Sequence, residues 1–169
     1  SLSNTAGILL GEEYHFDLVR PGIALYGGSP DPSNPQGFSA VVTWQARVLE
    51  IQTVKAGERV GYGGTFIAET DIVVATLGTG YADGYLRALS HHSSVVFQGI
   101  NLPVIGRVSM DLITVDLSKL IDAGIKVIEG DWVEVMGNSM SVDTLAEKGQ
   151  TVGYELLSRL GDRFEKSVH

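Results

Sequence analysis

Tyr62 stands in the stretch Arg59-Val60-Gly61-Tyr62-Gly63-Gly64-Thr65-Phe66, with three glycines in the four positions around it. Glycine accepts positive φ and lets another backbone or a ligand come close. A tyrosine held there can present its hydroxyl at a surface instead of burying its ring. The chemistry on offer is proton transfer. A free phenol has a pKa of ~10, so acid–base work near neutrality needs a positive neighbourhood or a hydrogen-bond relay. Arg59 is near in sequence.

Two further islands mix glycine with functional side chains: Gly80-Tyr81-Ala82-Asp83-Gly84-Tyr85, and Gly106-Arg107-Val108-Ser109-Met110-Asp111. Read singly, each is also what a β-turn in an all-β domain looks like. A fourth group lies near the start. Asn4-Thr5-Ala6-Gly7 and Arg20-Pro21-Gly22-Ile23 join a hydroxyl and free backbone N–H groups to glycine, which suits phosphate binding. In a (β/α)₈ barrel such a site forms from the loops after the last two strands. The competing readings are a surface arginine in a Pro-Gly turn for Arg20 and a core methionine on a strand for Met110.

Composition narrows the classes. With 44% hydrophobic and 19% charged residues, the chain has the balance of a globular protein with a core. A net charge of −8 disfavours non-specific nucleic-acid binding but leaves room for a local basic pocket. The 21 glycines favour strands and tight turns over long helices. No cysteine is present, which removes disulfides, thiolate metal sites and a cysteine nucleophile. The four histidines have no metal-site spacing, and His91-His92 reads as a solvated turn. No apolar run is long enough for a bilayer and no signal peptide opens the chain, so the cytoplasm is the expected compartment.

The elements that must hold these groups follow from periodicity. Phe16–Val19 reads as a short strand before Arg20-Pro21, and 23–27 as a helical turn or an extended run. Residues 28–35 hold three of the five prolines with Ser, Asn and Asp, which marks a linker and a domain boundary, placed after residue 34. Val42, Trp44, Ala46 and Val48 then alternate with polar residues as a half-buried strand. A phase shift at Leu49-Glu50 predicts a bulge. Ile72–Leu77 is an apolar, β-branched run, expected to be buried on both faces. Further strands are expected at Val95–Gln98, Val104–Ile105, Val108–Leu117 and Trp132–Met136. Short strands separated by turns predict a mainly β, barrel-like domain. Two short helices come late: Val142–Lys148, capped by Ser141 and stopped by Gly149, and Val152–Leu160, capped by Thr151.

Six motifs carry a resemblance. Asn4-Thr5-Ala6-Gly7-Ile8-Leu9, Val19-Arg20-Pro21-Gly22-Ile23-Ala24-Leu25-Tyr26-Gly27, Val60–Phe66, Gly80–Tyr85, Gly106–Asp111 and Gly153-Tyr154-Glu155-Leu156-Leu157 resemble, in order, the second half of alanine racemase. The resemblance runs from Asn4 to about Gly161. It implies that residues 1–34 are the C-terminal end of a (β/α)₈ barrel that binds pyridoxal 5′-phosphate, and that 35–169 are the family's C-terminal β-domain. It also implies a homodimer in which one chain's β-domain completes the other's active site. The expected reaction is interconversion of L-alanine and D-alanine, which supplies D-alanine for peptidoglycan.

The resemblance assigns roles residue by residue. Arg20 resembles the arginine that donates to the cofactor's pyridine nitrogen. Guanidinium is donor-only and always charged, so that nitrogen stays an unprotonated acceptor and the ring is a weaker electron sink. Thr5, Gly22 and Ile23 resemble phosphate ligands, the first by its hydroxyl and the others by N–H; a serine commonly stands in the position of Thr5. Tyr62 resembles the base on the L-alanine face. Tyr81, Arg87 and Arg107 resemble residues of the substrate access corridor. Met110 resembles the residue whose N–H holds the substrate carboxylate. The lysine that carries the cofactor as a Schiff base has no counterpart among Lys55, Lys119, Lys126, Lys148 and Lys166. Asp162 stands about where some members have a further tyrosine. The chain is therefore expected to be part of a longer protein and inactive alone. The alternatives are the β-domain of a related pyridoxal-phosphate decarboxylase, which the lack of cysteine opposes, and a non-catalytic β-barrel binding module.

Overall fold

The structure, a computed structural model, describes residues 1–31 and 37–168. Six strands close into an antiparallel barrel in the order β1-β4-β7-β6-β5-β8: β1 (Trp44–Val54), β4 (Ile72–Leu77), β5 (Ser94–Phe97), β6 (Ile100–Ile105), β7 (Ile113–Asp116) and β8 (Trp132–Met136). Closure removes open sheet edges. Strand β1 closes the ring by pairing twice. Its first half, Trp44–Arg47, pairs with β8, and Val48–Val54 pair with β4. The register shifts between Val48 and Glu50, so the bulge predicted at Leu49-Glu50 is the bend that lets one strand serve two neighbours.

The barrel is filled by side chains from alternate positions of its strands. Val48, Ala75, Leu77, Val95, Leu102, Val104, Ile113, Val115 and Val135 are all buried in one core. The β5–β6 hairpin turns at Gln98-Gly99, both at positive φ, as tight two-residue hairpins require. Leu120 of α2 (Ser118–Asp122), Leu145 of α3 (Val142–Lys148) and Leu156 of α4 (Gly153–Arg159) join the same core. Ser141 caps α3 by accepting from the Thr144 N–H at 3.1 Å. A separate two-stranded hairpin, β2 (Arg59–Val60) with β3 (Phe66–Ile67), stands off the barrel. Val60 and Phe66 anchor it on Val54, Val74 and Ile105.

The structure departs from the sequence expectations at several places, and the strand expected at Val104–Ile105 extends back to Ile100. Phe16–Val19 is not a strand: Phe16 has φ of 52°, and pairing nearby is a single bridge between Asn4 and Arg20. A strand needs a neighbour to satisfy its N–H and C=O groups, and none of the described residues supplies one there. The strand expected over Val108–Leu117 shrinks to Ile113–Asp116. Ser109 folds residues 109–112 into a loop: its hydroxyl accepts from the Leu112 N–H at 3.0 Å and donates to the Leu112 carbonyl at 2.9 Å. Thr151 does not cap the last helix; Val152 holds that position without a side-chain bond, and Thr151 donates its hydroxyl to Glu155 instead. Helices α1 (Thr5–Leu9) and α2 were not expected. The start of the predicted linker is docked, with Ser29 N–H donating to Asp143 at 2.8 Å. Residues 32–36 and the boundary placed after residue 34 lie outside the described residues.

Candidate active-site cleft

Tyr62 rides the tip of the β2–β3 hairpin, three-quarters exposed. Gly61, Gly63 and Gly64 all take positive φ there. Arg59 Nη1 donates to the Gly64 carbonyl at 3.1 Å, and Thr65 Oγ1 bonds His91 Nε2 at 3.0 Å, so the tip is tied at both sides. The third island packs directly beneath it. A Cβ on Gly61 would lie 2.7 Å from the Arg107 nitrogen.

The second and third islands are joined by their backbones. Tyr81 N–H donates to the Ser109 carbonyl and Ala82 N–H to the Met110 carbonyl, each at 3.0 Å. Gly80 makes this possible, because a Cβ there would sit 2.4 Å from the Met110 oxygen. Residues 81–83 form a 3₁₀ turn, with the Asp83 carboxylate accepting from the Gly80 N–H at 2.9 Å.

These elements enclose a cleft of about 840 Å³ lined by Tyr62, Tyr81, Arg87, Met110 and Arg159, among others. Met110 is half-exposed at the loop tip, so the loop around Ser109 takes it out of the core that a continuous strand would have given it. Among the described residues no acceptor meets the Met110 N–H. Arg107 is not in the wall but lies beside the hairpin tip, its Nη1 next to Gly63. Two arginines, Arg87 and Arg159, thus line the cleft with two exposed phenols, and Arg107 stands beside it, in a chain of net charge −8. The cleft can take a small anionic ligand and offer it a proton-transfer group. Tyr85, two residues from Asp83, is a different case: it is fully buried, and burial pushes its hydroxyl pKa far up, so it stays un-ionised.

Arg159 and Arg163 escaped the sequence reading. Arg163 pairs with Asp83 at 3.3 Å and Asp111 at 2.7 Å. No motif or spacing marks an arginine that reaches its partners from the chain's end.

The remaining predicted residues form a second group away from the cleft wall. Thr5 is buried, and its Oγ1 accepts from the Gly22 N–H at 2.9 Å. Ile23 is buried beside them at the start of a 3₁₀ turn over 23–26. Arg20 is exposed, with Nη2 donating to the Leu2 carbonyl at 3.2 Å. Leu2, Leu9, Leu10, Phe16, Leu18 and Leu25 around this group are exposed apolar side chains.

A closed barrel with exposed tyrosines and arginines at one cleft defines a β-barrel domain with a polar cleft on its surface. The family described as "Alanine racemase, C-terminal domain" matches residues 41–168, and "Alanine racemase, N-terminal domain" matches residues 1–30. The chain belongs to the alanine racemase family. It is 42% identical to a catabolic alanine racemase of Rhizobium johnstonii and to an alanine racemase of Rhodospirillum rubrum, in each case over 98% of this chain and 44% of the relative. Among solved structures it is similar to the alanine racemase of Bartonella henselae with covalently bound pyridoxal phosphate. There the TM-score is 0.89 at 41% identity, over 96% of this chain and 45% of that one. The biosynthetic alanine racemase of Pseudomonas aeruginosa gives a TM-score of 0.89 at 40% identity. The chain spans less than half the length of these relatives. Among the described residues no helix is long and apolar enough to cross a membrane.

Proposed function

We propose that this chain supplies the β-domain and the last barrel loops of a pyridoxal-phosphate-dependent alanine racemase that interconverts L- and D-alanine in the cytoplasm, feeding D-alanine to peptidoglycan. Tyr62 Oη takes the α-proton on the L-alanine face. A lysine from the rest of the barrel serves the other face, and two chains share each site as a homodimer. The observation that carries this is the cleft itself: one wall holds the Tyr62 phenol, arginines and an unengaged Met110 N–H.

The donor set of the first segment fits the cofactor. Thr5 and Gly22, 17 residues apart, are already joined at 2.9 Å, and Arg20 has guanidinium donors beyond the one on Leu2. Thr5, Gly22 and Ile23 would hold the phosphate, and Arg20 the pyridine nitrogen. The Gly22 N–H must exchange the Thr5 hydroxyl for the phosphate to take that role. The bound cofactor would supply electron withdrawal from the substrate's α-carbon. From L-alanine, Tyr62 would accept the α-proton while the lysine delivers one to the opposite face, and from D-alanine the two roles are exchanged. The Met110 N–H would hold the substrate carboxylate, Tyr81 and Arg87 would line its approach, and Arg107 adds positive charge beside the hairpin tip. The exposed apolar side chains of residues 2–25 are what a barrel segment shows without its neighbouring strands and helices.

The test joins this chain to the barrel of the Rhizobium relative and follows D-alanine formation from L-alanine by chiral chromatography. Racemisation by the chimaera and none by the chain alone is the expected result. A folded, cofactor-loaded chimaera without alanine turnover would refute the proposal.

A further inference from the structure

We infer that Arg163 is a positioning residue that clamps the two loops carrying Tyr81 and Met110. The loops come from distant parts of the sequence. Backbone bonds from Tyr81 and Ala82 to Ser109 and Met110 hold them together. The Arg163 guanidinium closes the same seam from outside: Nε reaches Asp83 Oδ1 at 3.3 Å and Nη2 reaches Asp111 Oδ1 at 2.7 Å. Asp83 is 9% exposed at its side chain, and its other carboxylate oxygen accepts from the Gly80 N–H. Two carboxylates drawn onto one guanidinium would repel each other without it. A buried carboxylate left unpaired is costly.

The segment that carries Arg163 is itself fixed. Phe164 packs edge-on against Trp44 with centroids 5.3 Å apart, and Trp44 lies in the barrel core. The Arg159 carbonyl leaves no room for a side chain at Gly84. The last residues therefore strap the cleft's wall to the barrel, and Arg163 is the buckle between the two loops. A planar fork can meet two carboxylates at once, whereas a lysine ammonium is a point charge on a flexible stem. The hairpin that carries Tyr62 is not held by this clamp; Arg59, His91 and Gly106 hold it.

Amide exchange followed by NMR on the chain tests the clamp. In Arg163→Lys the Tyr81 and Ala82 amides should exchange about fivefold faster, the upper end of what a half-exposed ion pair gives. Val74 and Ala75 in β4 should stay within about twofold. Uniform acceleration, or none, overturns the inference. If Arg163→Lys does not fold, Asp111→Asn decides, since it removes one ion pair and keeps the other. The same local pattern at about threefold supports the clamp, and unchanged exchange rejects it. The kinetic consequence rests on the racemase reading. In the complete enzyme Arg163→Lys should raise KM for alanine about tenfold with kcat within about threefold, whereas a merely structural role lowers kcat and the melting temperature together. If the unsubstituted enzyme does not racemise alanine, that reading fails, and the clamp is judged by exchange alone.

Discussion

Gly61 and Gly106 lie back to back, so that a Cβ on Gly61 would meet the Gly106 Cα at 2.8 Å and a Cβ on Gly106 would meet the Gly61 Cα at 2.9 Å. Both have positive φ, 80° and 70°. The contact seats the hairpin of Tyr62 on the loop that leads to Met110, and it explains why two glycine islands 45 residues apart belong to one cleft.

Gly106→Ala should therefore cost more than its backbone conformation alone. Gly99 is the control, with φ of 80° and nothing within 4 Å of an added Cβ. Gly99→Ala should lose about 1 kcal/mol from left-handed strain. Gly106→Ala adds an overpacking term and should lose roughly 2–4 kcal/mol in urea unfolding. Equal losses would mean that the hairpin moves away freely and that the contact fixes nothing.

Tyr62→Phe separates chemistry from structure. The side chain is exposed, so the chain's stability should change by no more than about 0.5 kcal/mol. In the complete enzyme, racemisation from L-alanine should fall by ~10²–10⁴-fold. Exchange of the D-alanine α-hydrogen with solvent deuterium should persist at a reduced rate, because the other base still faces it. Proton NMR reads both. Equal loss from both enantiomers would remove Tyr62 as a one-sided base and turn attention to Tyr81.

Thr5→Val keeps the shape of a buried side chain but deletes the acceptor of the Gly22 N–H. Because Gly22 is exposed and water can replace the lost acceptor, the change should destabilise this segment by about 0.5–1.5 kcal/mol, and Thr5→Ser should restore most of it. The Gly22 amide shift and exchange rate report the bond. No change at Gly22 in the valine variant would show that another acceptor replaces Thr5.

Asp71 gives a pH signature. Its carboxylate accepts from Lys55 Nζ at 2.7 Å and from the Ala56 N–H at 3.0 Å. The Lys55 hydrogen bond first, and then the Ala56 N–H, hold its pKa below the ordinary 3.8. A depressed carboxyl contributes stability above its unfolded pKa and loses it as pH falls through the folded value. The turn at residues 55–58, which leads into β2, should therefore loosen only below pH 3.8. The Ala56 amide shift should titrate with a midpoint under that value, and Asp71→Asn should abolish the titration. A midpoint at or above 3.8 would contradict the bond.

Local chemistry was legible in the chain. Alternation at Val42–Val48, the phase slip at Leu49-Glu50, the β-branched run Ile72–Leu77 and the cap at Ser141 each depend on near neighbours, and each is found. The glycine islands were also visible, because left-handed turns and close backbone approaches demand glycine. Two expectations fail for different reasons. Phe16–Val19 has strand-forming residues but no strand beside it, which depends on distant partners, whereas Val108–Leu112 leaves the sheet for a local reason, the Ser109 hydroxyl bonding Leu112 three residues on.

The sequence by itself determined the mainly β class, the bulge, the late helices and the identity of the residues able to transfer a proton or bind an anion. Tertiary structure alone decided that Tyr62, Tyr81, Arg87 and Met110 share one cleft while Arg107 stands beside it. It also decided that Arg163 ties Asp83 to Asp111 across the fold. The reason is that barrel closure sets which loops meet. Strand β1 bends to pair with both β4 and β8, and the loops at the resulting rim are neighbours in space without any fixed spacing in the chain.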